Sequence, residues 1–226
     1  MKLSGIPAMA KKPLRLDWEV CLLIVIGLLL LASLQVIGAT SEKYSQYPLV
    51  RALIGALNLF RQKVLPIWQP IMYAALAAYL FLPLSLKLRR AMVDFFMLWF
   101  VVRILDLFVL INLLAFLRTH DHAQLLVQLL LFLPCMLLMW GWIYWRTDLR
   151  SQVAGGRRMY AFKSSEDIAP TAYDYFLASF TSLISHTLSG FSGETRTART
   201  LIFVHGVMMW DIMGLMLSRA IALVSA

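Results

Sequence analysis

The 226-residue chain is 61% hydrophobic and carries a formal net charge of +9, with a mean hydropathy of +0.75. Soluble domains hold roughly 45–50% apolar residues, so the medium read from composition is lipid. A crossing helix needs about 20 apolar residues, so five or six crossings consume the chain and exclude a separate nucleotide-binding or catalytic domain.

The expected fold is therefore all-α, a polytopic membrane helix bundle. Its 21 Lys and Arg residues flank apolar runs and form no basic and aromatic module, so the bilayer is the expected partner and nucleic acid is excluded.

Residues 1–16 form a basic tail with Lys11, Lys12 and Arg15 ahead of an apolar run from Trp18 to Ala39. The length of that run and the lack of a small-residue cleavage site predict a retained first helix, not a signal peptide. Between Thr40 and Pro66, the residues Leu53, Leu57, Phe60 and Val64 recur at steps of three and four, which predicts an amphipathic interfacial helix over 48–64. Pro66 and Pro70 then bracket the entry to a second crossing, residues 67–86, closed by Lys87, Arg89 and Arg90.

A third crossing, residues 92–117, contains Asp94, Arg103, Asp106 and Asn112. Ionisable groups at membrane depth are costly unless paired or hydrated, so these should face the bundle interior. Arg103 and Asp106 are three residues apart on one helical face and are read as an intramembrane ion pair. In the short loop that follows, His120 and His122 stand two apart and do not converge, so no metal site is expected.

A fourth crossing over 124–145 ends on Trp140, Trp142, Tyr144 and Trp145, an interfacial aromatic belt. It completes a four-helix transmembrane unit spanning 17–145, followed by a basic polar loop over 146–170. Cys21 and Cys135 lie inside apolar runs and read as small buried hydrophobes.

The last unit, residues 171–226, holds a moderately apolar segment, a run with two glycines, and a final crossing from about Thr200 to Val224. The segment is too short and too rich in Ser and Thr for a comfortable crossing, so residues 169–190 either cross or dip in as a half-helix and return. Within the final crossing, Asp211 is an intramembrane carboxylate that marks a pore, a proton path or a contact with a neighbouring helix. His186 and His205 flank the glycine run and read as polar packing between helices.

The run YDYFLASFTSLISHTLSGFSGE, residues 173–194, resembles the pore helix and filter of the tetrameric potassium-channel superfamily. Phe176, Ser179, Phe180 and Thr181 stand at the aromatic and hydroxyl positions, and Gly190, Phe191 and Glu194 at the later ones. The resemblance implies a re-entrant pore helix, a homo-oligomeric pore, and filter or pore candidates at Thr187, Leu188, Ser189, Gly190, Phe191, Ser192, Gly193 and Glu194, with Asp211 added from the last helix. The Thr-Val-Gly-Tyr-Gly core is replaced by Leu188-Ser189-Gly190-Phe191-Ser192-Gly193, so no ion identity is implied.

Topology follows from charge. With a cytoplasmic N-terminus, that side collects Lys2, Lys11, Lys12, Arg15, Lys87, Arg89, Arg90, Arg146, Arg150, Arg157, Arg158 and Lys163, against Lys43, Arg51, Arg61, Lys63 and Arg118 opposite. Twelve against five predicts a cytoplasmic N-terminus in a plasma (inner) membrane, with the Gly-Phe loop entering from the cytoplasm.

No catalytic triad, phosphate-binding loop or metal-ligand spacing occurs, so neither an enzyme nor a cofactor is expected. Two functions follow: an ion-channel-like protein passing cations through an oligomeric pore, or a non-catalytic structural or assembly subunit of a larger membrane complex.

Overall fold

The computed structural model describes residues 18–36, 48–82, 84–116, 122–162, 170–185 and 190–224. The fold is all-α: helices α1 (Trp18–Val36), α2 (Pro48–Leu59), α3 (Leu65–Phe81), α4 (Leu86–Phe116), α5 (His122–Val153), α6 (Ala172–Ser185) and α7 (Arg196–Val224), with a two-stranded ladder of β1 (Tyr160–Phe162) and β2 (Phe191–Gly193). The basic tail, the loop carrying His120, and Lys163, His186, Thr187, Leu188 and Ser189 lie outside the described residues.

Helices α4 and α7 are apolar on both faces, so their sequences show no strong amphipathic period. In α4, Phe96, Met97, Ile104, Leu107 and Ile111 are buried, yet Phe95, Leu98, Val102, Leu105 and Val109 form an exposed ridge at helical spacing. In α7, Phe203, Val207, Trp210, Leu217 and Ile221 make a second such ridge. A helix in water would carry polar residues on those faces.

Five or six crossings are expected from the sequence; among the described residues three helices have the length and hydropathy to cross a membrane: Leu86–Leu113, Leu125–Val153 and Arg196–Val224. The apolar part of α1 is the shorter Trp18–Ala32, and α3 has 17 residues with Pro70 inside it. The expected separate interfacial helix over 48–64 also differs. α2 runs directly into a π-helical turn at Phe60–Val64 and on into α3, so one helical path extends from 48 to 81. Pro66 lacks the N–H that would bond the carbonyl four residues back, and the wider turn just before it absorbs that defect. The side chains of Leu53, Leu57 and Phe60 are not among those described.

α5 is the central helix and packs against α1, α4, α6 and α7. One end of the bundle is tied by charge. Arg146 Nε and Nη2 donate to the two oxygens of Asp94 at 2.7 and 2.5 Å, joining the end of α5 to the start of α4. Arg90 Nη1 donates to Glu19 Oε2 at 2.6 Å, joining α4 to the start of α1, and Trp142 Nε1 approaches the other Glu19 oxygen at 3.4 Å. Arg150 reaches Asp94 at 3.3 Å, but its side chain is 67% exposed, so water screens that contact.

Asp94→Ala strands the partly buried Arg146 guanidinium. Losing one partner of such a bidentate pair should cost about 3 kcal/mol, whereas Arg150→Ala should cost under about 1 kcal/mol. Cys21 is exposed, unlike the sequence expectation, and Cys135 is buried; in a Cys21→Ser background, a thiol-reactive dye that reports exposure of Cys135 as the solubilised protein is heated measures both.

A candidate half-helix and its anchored return

α6 begins with a local signal. Thr171 N–H and Oγ1 both donate to Asp174 Oδ2, at 2.6 and 2.8 Å, so the carboxylate three residues into the helix reaches back over its first turn. From there α6 runs antiparallel to α5. Phe176 sits against Gly141, where an added Cβ would lie 2.5 Å from the Phe176 ring and 3.0 Å from its Cα. One turn deeper, the buried Ser179 Oγ donates to Leu137 O at 2.8 Å.

The described Ser and Thr hydroxyls of α6, Ser179 and Thr181 of the channel resemblance and Ser182 beside them, are used inside the helix or against α5. Thr181 Oγ1 donates to Ala178 O at 2.9 Å and Ser182 Oγ to Ser179 O at 2.6 Å. These bonds let Ser and Thr lie in an apolar bundle without stranded donors.

After α6 the chain comes back to the end where it started. Five chain steps beyond Ser185, Gly190 adopts φ +94°, a conformation that favours glycine. β2 then pairs antiparallel with β1, Tyr160 opposite Gly193, Ala161 opposite Ser192 and Phe162 opposite Phe191. β1 itself follows directly on the C-terminal end of α5. α6 therefore starts, and β2 lies, at the same end of α5.

Asp148, fully buried, holds these pieces together. It accepts from Met159 N at 2.5 Å and Gln152 Nε2 at 2.8 Å, and from the Tyr175 hydroxyl of α6. Above it lies an aromatic cluster: the Phe191 ring is 4.9 Å from Tyr160, 5.0 Å from Phe162 and 5.1 Å from Tyr144. Tyr160 also shares a 3.1 Å hydrogen bond with Thr147 Oγ1. Burial pushes the Tyr160 phenol up from 10.0 to about 12.

The described filter candidates share this anchor. Phe191 is buried and Ser192 exposed. Gly193 O accepts from Arg199 Nε at 3.0 Å, and Glu194 N–H donates to Met159 O at 2.8 Å while its side chain is exposed. Thr195 Oγ1 then accepts from Ala198 N at 3.1 Å and caps α7.

Asp211 is not part of this group. It lies about 25 Å further along the axis of α7 from Glu194, at about 1.5 Å per residue, and accepts from Asn112 Nδ2 of α4 at 2.8 Å. The Arg103 Nη1 to Asp106 Oδ2 contact, 2.5 Å, is a separate buried pair on α4. Among the described residues there is no cluster of three His, Cys, Asp or Glu side chains fit for a metal.

Comparison of the chain with protein-family models, with curated proteins and with solved structures found no match.

Two outcomes test the anchor. Gly141→Ala forces α6 away from α5 and should cost about 1–3 kcal/mol of thermal stability. For Tyr160 the raised value favours the neutral phenol in the folded state. The stabilisation is full below pH 10 and falls as pH climbs toward 12, by about 1.4 kcal/mol per pH unit. Tyr160→Phe should flatten that alkaline slope, read by unfolding at fixed temperature across the range.

Proposed function

We propose that the chain is an integral plasma-membrane protein with five crossings, namely α1, the continuous α2–α3 path, α4, α5 and α7, and that α6 is a re-entrant half-helix of an ion-channel-like protein passing cations through an oligomeric pore. The observation that carries this reading is that α6 starts, and β2 lies, at one end of α5. In this reading the C-terminus of α6 ends at membrane depth.

The last carbonyls of a helix have no intrahelical partners and carry the negative end of its dipole. No basic residue stands in the last turn of α6 to neutralise them. Half-helix C-termini at membrane depth are suited to holding a cation. In this reading Gly190 to Gly193 anchor the return, the path is contributed by the C-terminal end of α6 with Thr187, Leu188 and Ser189, and Asp211 biases it toward cations. Arg90, Arg146 and Arg150 belong to the end where α6 enters, so the positive-inside preference makes that end, and the N-terminus, cytoplasmic.

The second reading is a non-catalytic structural or assembly subunit. It is favoured by the engagement of Gly193 O with Arg199 and of Glu194 N with Met159 within one chain, which spends backbone groups that a filter would offer to an ion.

Purification followed by cation flux in liposomes separates the two. The channel reading expects a homo-oligomer whose flux falls several-fold in Gly190→Ala, where a side chain is strained at φ +94°, and changes in Glu194→Gln. A protein that remains monomeric and passes no cation would sink it. For topology, Ser192→Cys should label with membrane-impermeant reagent from the cytoplasmic side alone.

A further inference from the structure

His205, on the inward face of α7, is fully buried. Its ring stacks on Trp140 with centroids 4.9 Å apart and planes 17° off parallel, and its Nδ1 lies 2.9 Å from the Tyr144 hydroxyl. The other ring nitrogen, Nε2, is buried with no hydrogen-bond partner among the described residues. His205 is also among the residues that line a cavity of about 690 Å³ between α6, β2 and α7.

The Tyr144 bond decides what Nε2 is. A charged imidazolium is costly in apolar surroundings, so the ring is neutral and holds one proton. The Tyr144 hydroxyl hydrogen needs an acceptor, and Nδ1 is the one within reach. With the phenol donating to Nδ1, the ring proton sits on Nε2, which is then a buried donor that lacks an acceptor.

Ser182 lines the cavity too, but its hydroxyl hydrogen already goes to Ser179 O. Phe191, Ile202, Met209 and Met213 make the wall apolar. Among the described residues the polar side chains on this wall are Ser182 and His205 alone. Pockets of this size, mostly apolar with one placed polar group, suit lipophilic ligands.

We propose that this cavity binds a lipophilic molecule through a carbonyl oxygen that accepts a hydrogen bond from His205 Nε2–H, with the apolar body against Phe191, Met209 and Met213. The ligand enters from the acyl-chain layer past Phe203, Gly206 and Val207, which lie on the exposed face of α7 and line the same cavity. A Cβ added at Gly206 would meet nothing within 4 Å, so a larger side chain there can fill the mouth without disturbing the helix. A membrane offers this chemistry in two forms, the ring carbonyl of a quinone and the ester carbonyl of a lipid chain. The site is independent of whether the protein conducts ions.

The test uses the full chain in nanodiscs of ether-linked phospholipid, which carry no ester carbonyl. Tryptophan emission is titrated with an alkyl benzoquinone in one arm and with an ester-linked phospholipid bearing brominated chains in the other, both of which quench it. The expected result is saturable quenching at one molecule per chain by one probe. A saturating benzoquinone assigns a quinone; a saturating brominated ester assigns a lipid chain. His205→Phe should weaken that binding by about tenfold, the size of one lost hydrogen bond from a buried donor, and Gly206→Leu should abolish it. Quenching that rises linearly with both probes, or that is equally tight in His205→Phe, overturns the proposal. Infrared spectra of the bound probe with a ¹³C-labelled carbonyl give a reading on the unmutated protein: a stretch lowered relative to the probe in lipid is expected, and an unshifted one overturns it.

Discussion

Arg146 grips both oxygens of Asp94 at the point where the end of α5 meets the start of α4, and two residues further along α5 the buried Asp148 collects Met159 and Tyr175. These two carboxylates lie on opposite sides of the same helical turns. One draws α4 in, and α1 follows through the Arg90–Glu19 pair; the other draws in β1 and α6. Where a helix faces lipid, exposed apolar area does not drive association, and packing and satisfied polar contacts carry that role. Concentrating the charge at one end of α5 lets a helix apolar on all faces choose its neighbours.

The same economy holds for α6, whose flanking elements are bonded to the rest of the fold on both sides. Thr171 and Asp174 close the entry, the β1–β2 ladder closes the exit, and Ser179 fastens the middle to Leu137. Gly141 sets the depth of contact, because the flat patch it leaves admits Phe176 against the α5 backbone.

What was legible in the sequence was what local spacing determines. Arg103 and Asp106 are one turn apart, so their meeting is a property of a single helix. The apolar runs of α4, α5 and α7 were visible in the same way. Contacts between distant positions were not: Asp94 and Arg146 are 52 residues apart, and nothing in either segment names the other. Asp148 reads as an ordinary polar residue just past the aromatic belt, although three groups converge on it. Pro66 and Pro70 bracket the entry to a crossing in the sequence, and that local signal does not show that a π-helical turn before Pro66 joins α2 to α3 in one path. Nor does the glycine run show that Gly190 takes a positive φ and that Phe191 joins an aromatic cluster with residues from distant segments.

That placement bears on how a cation path would be built. The oxygen of Gly193 faces a guanidinium, and a cation bound there would have to displace a positive group already in contact. The carbonyls at the end of α6 face no such competitor in the last turn. Asp211 lies at comparable depth on α7, since His205, six residues earlier, stacks on Trp140 while Ser179 of α6 reaches Leu137 one turn below. Asp211, held by the Asn112 amide, and the last turn of α6 thus lie at one depth, whereas Arg90, Arg146 and Arg150 lie at the end where α6 enters, paired there with Glu19 and Asp94.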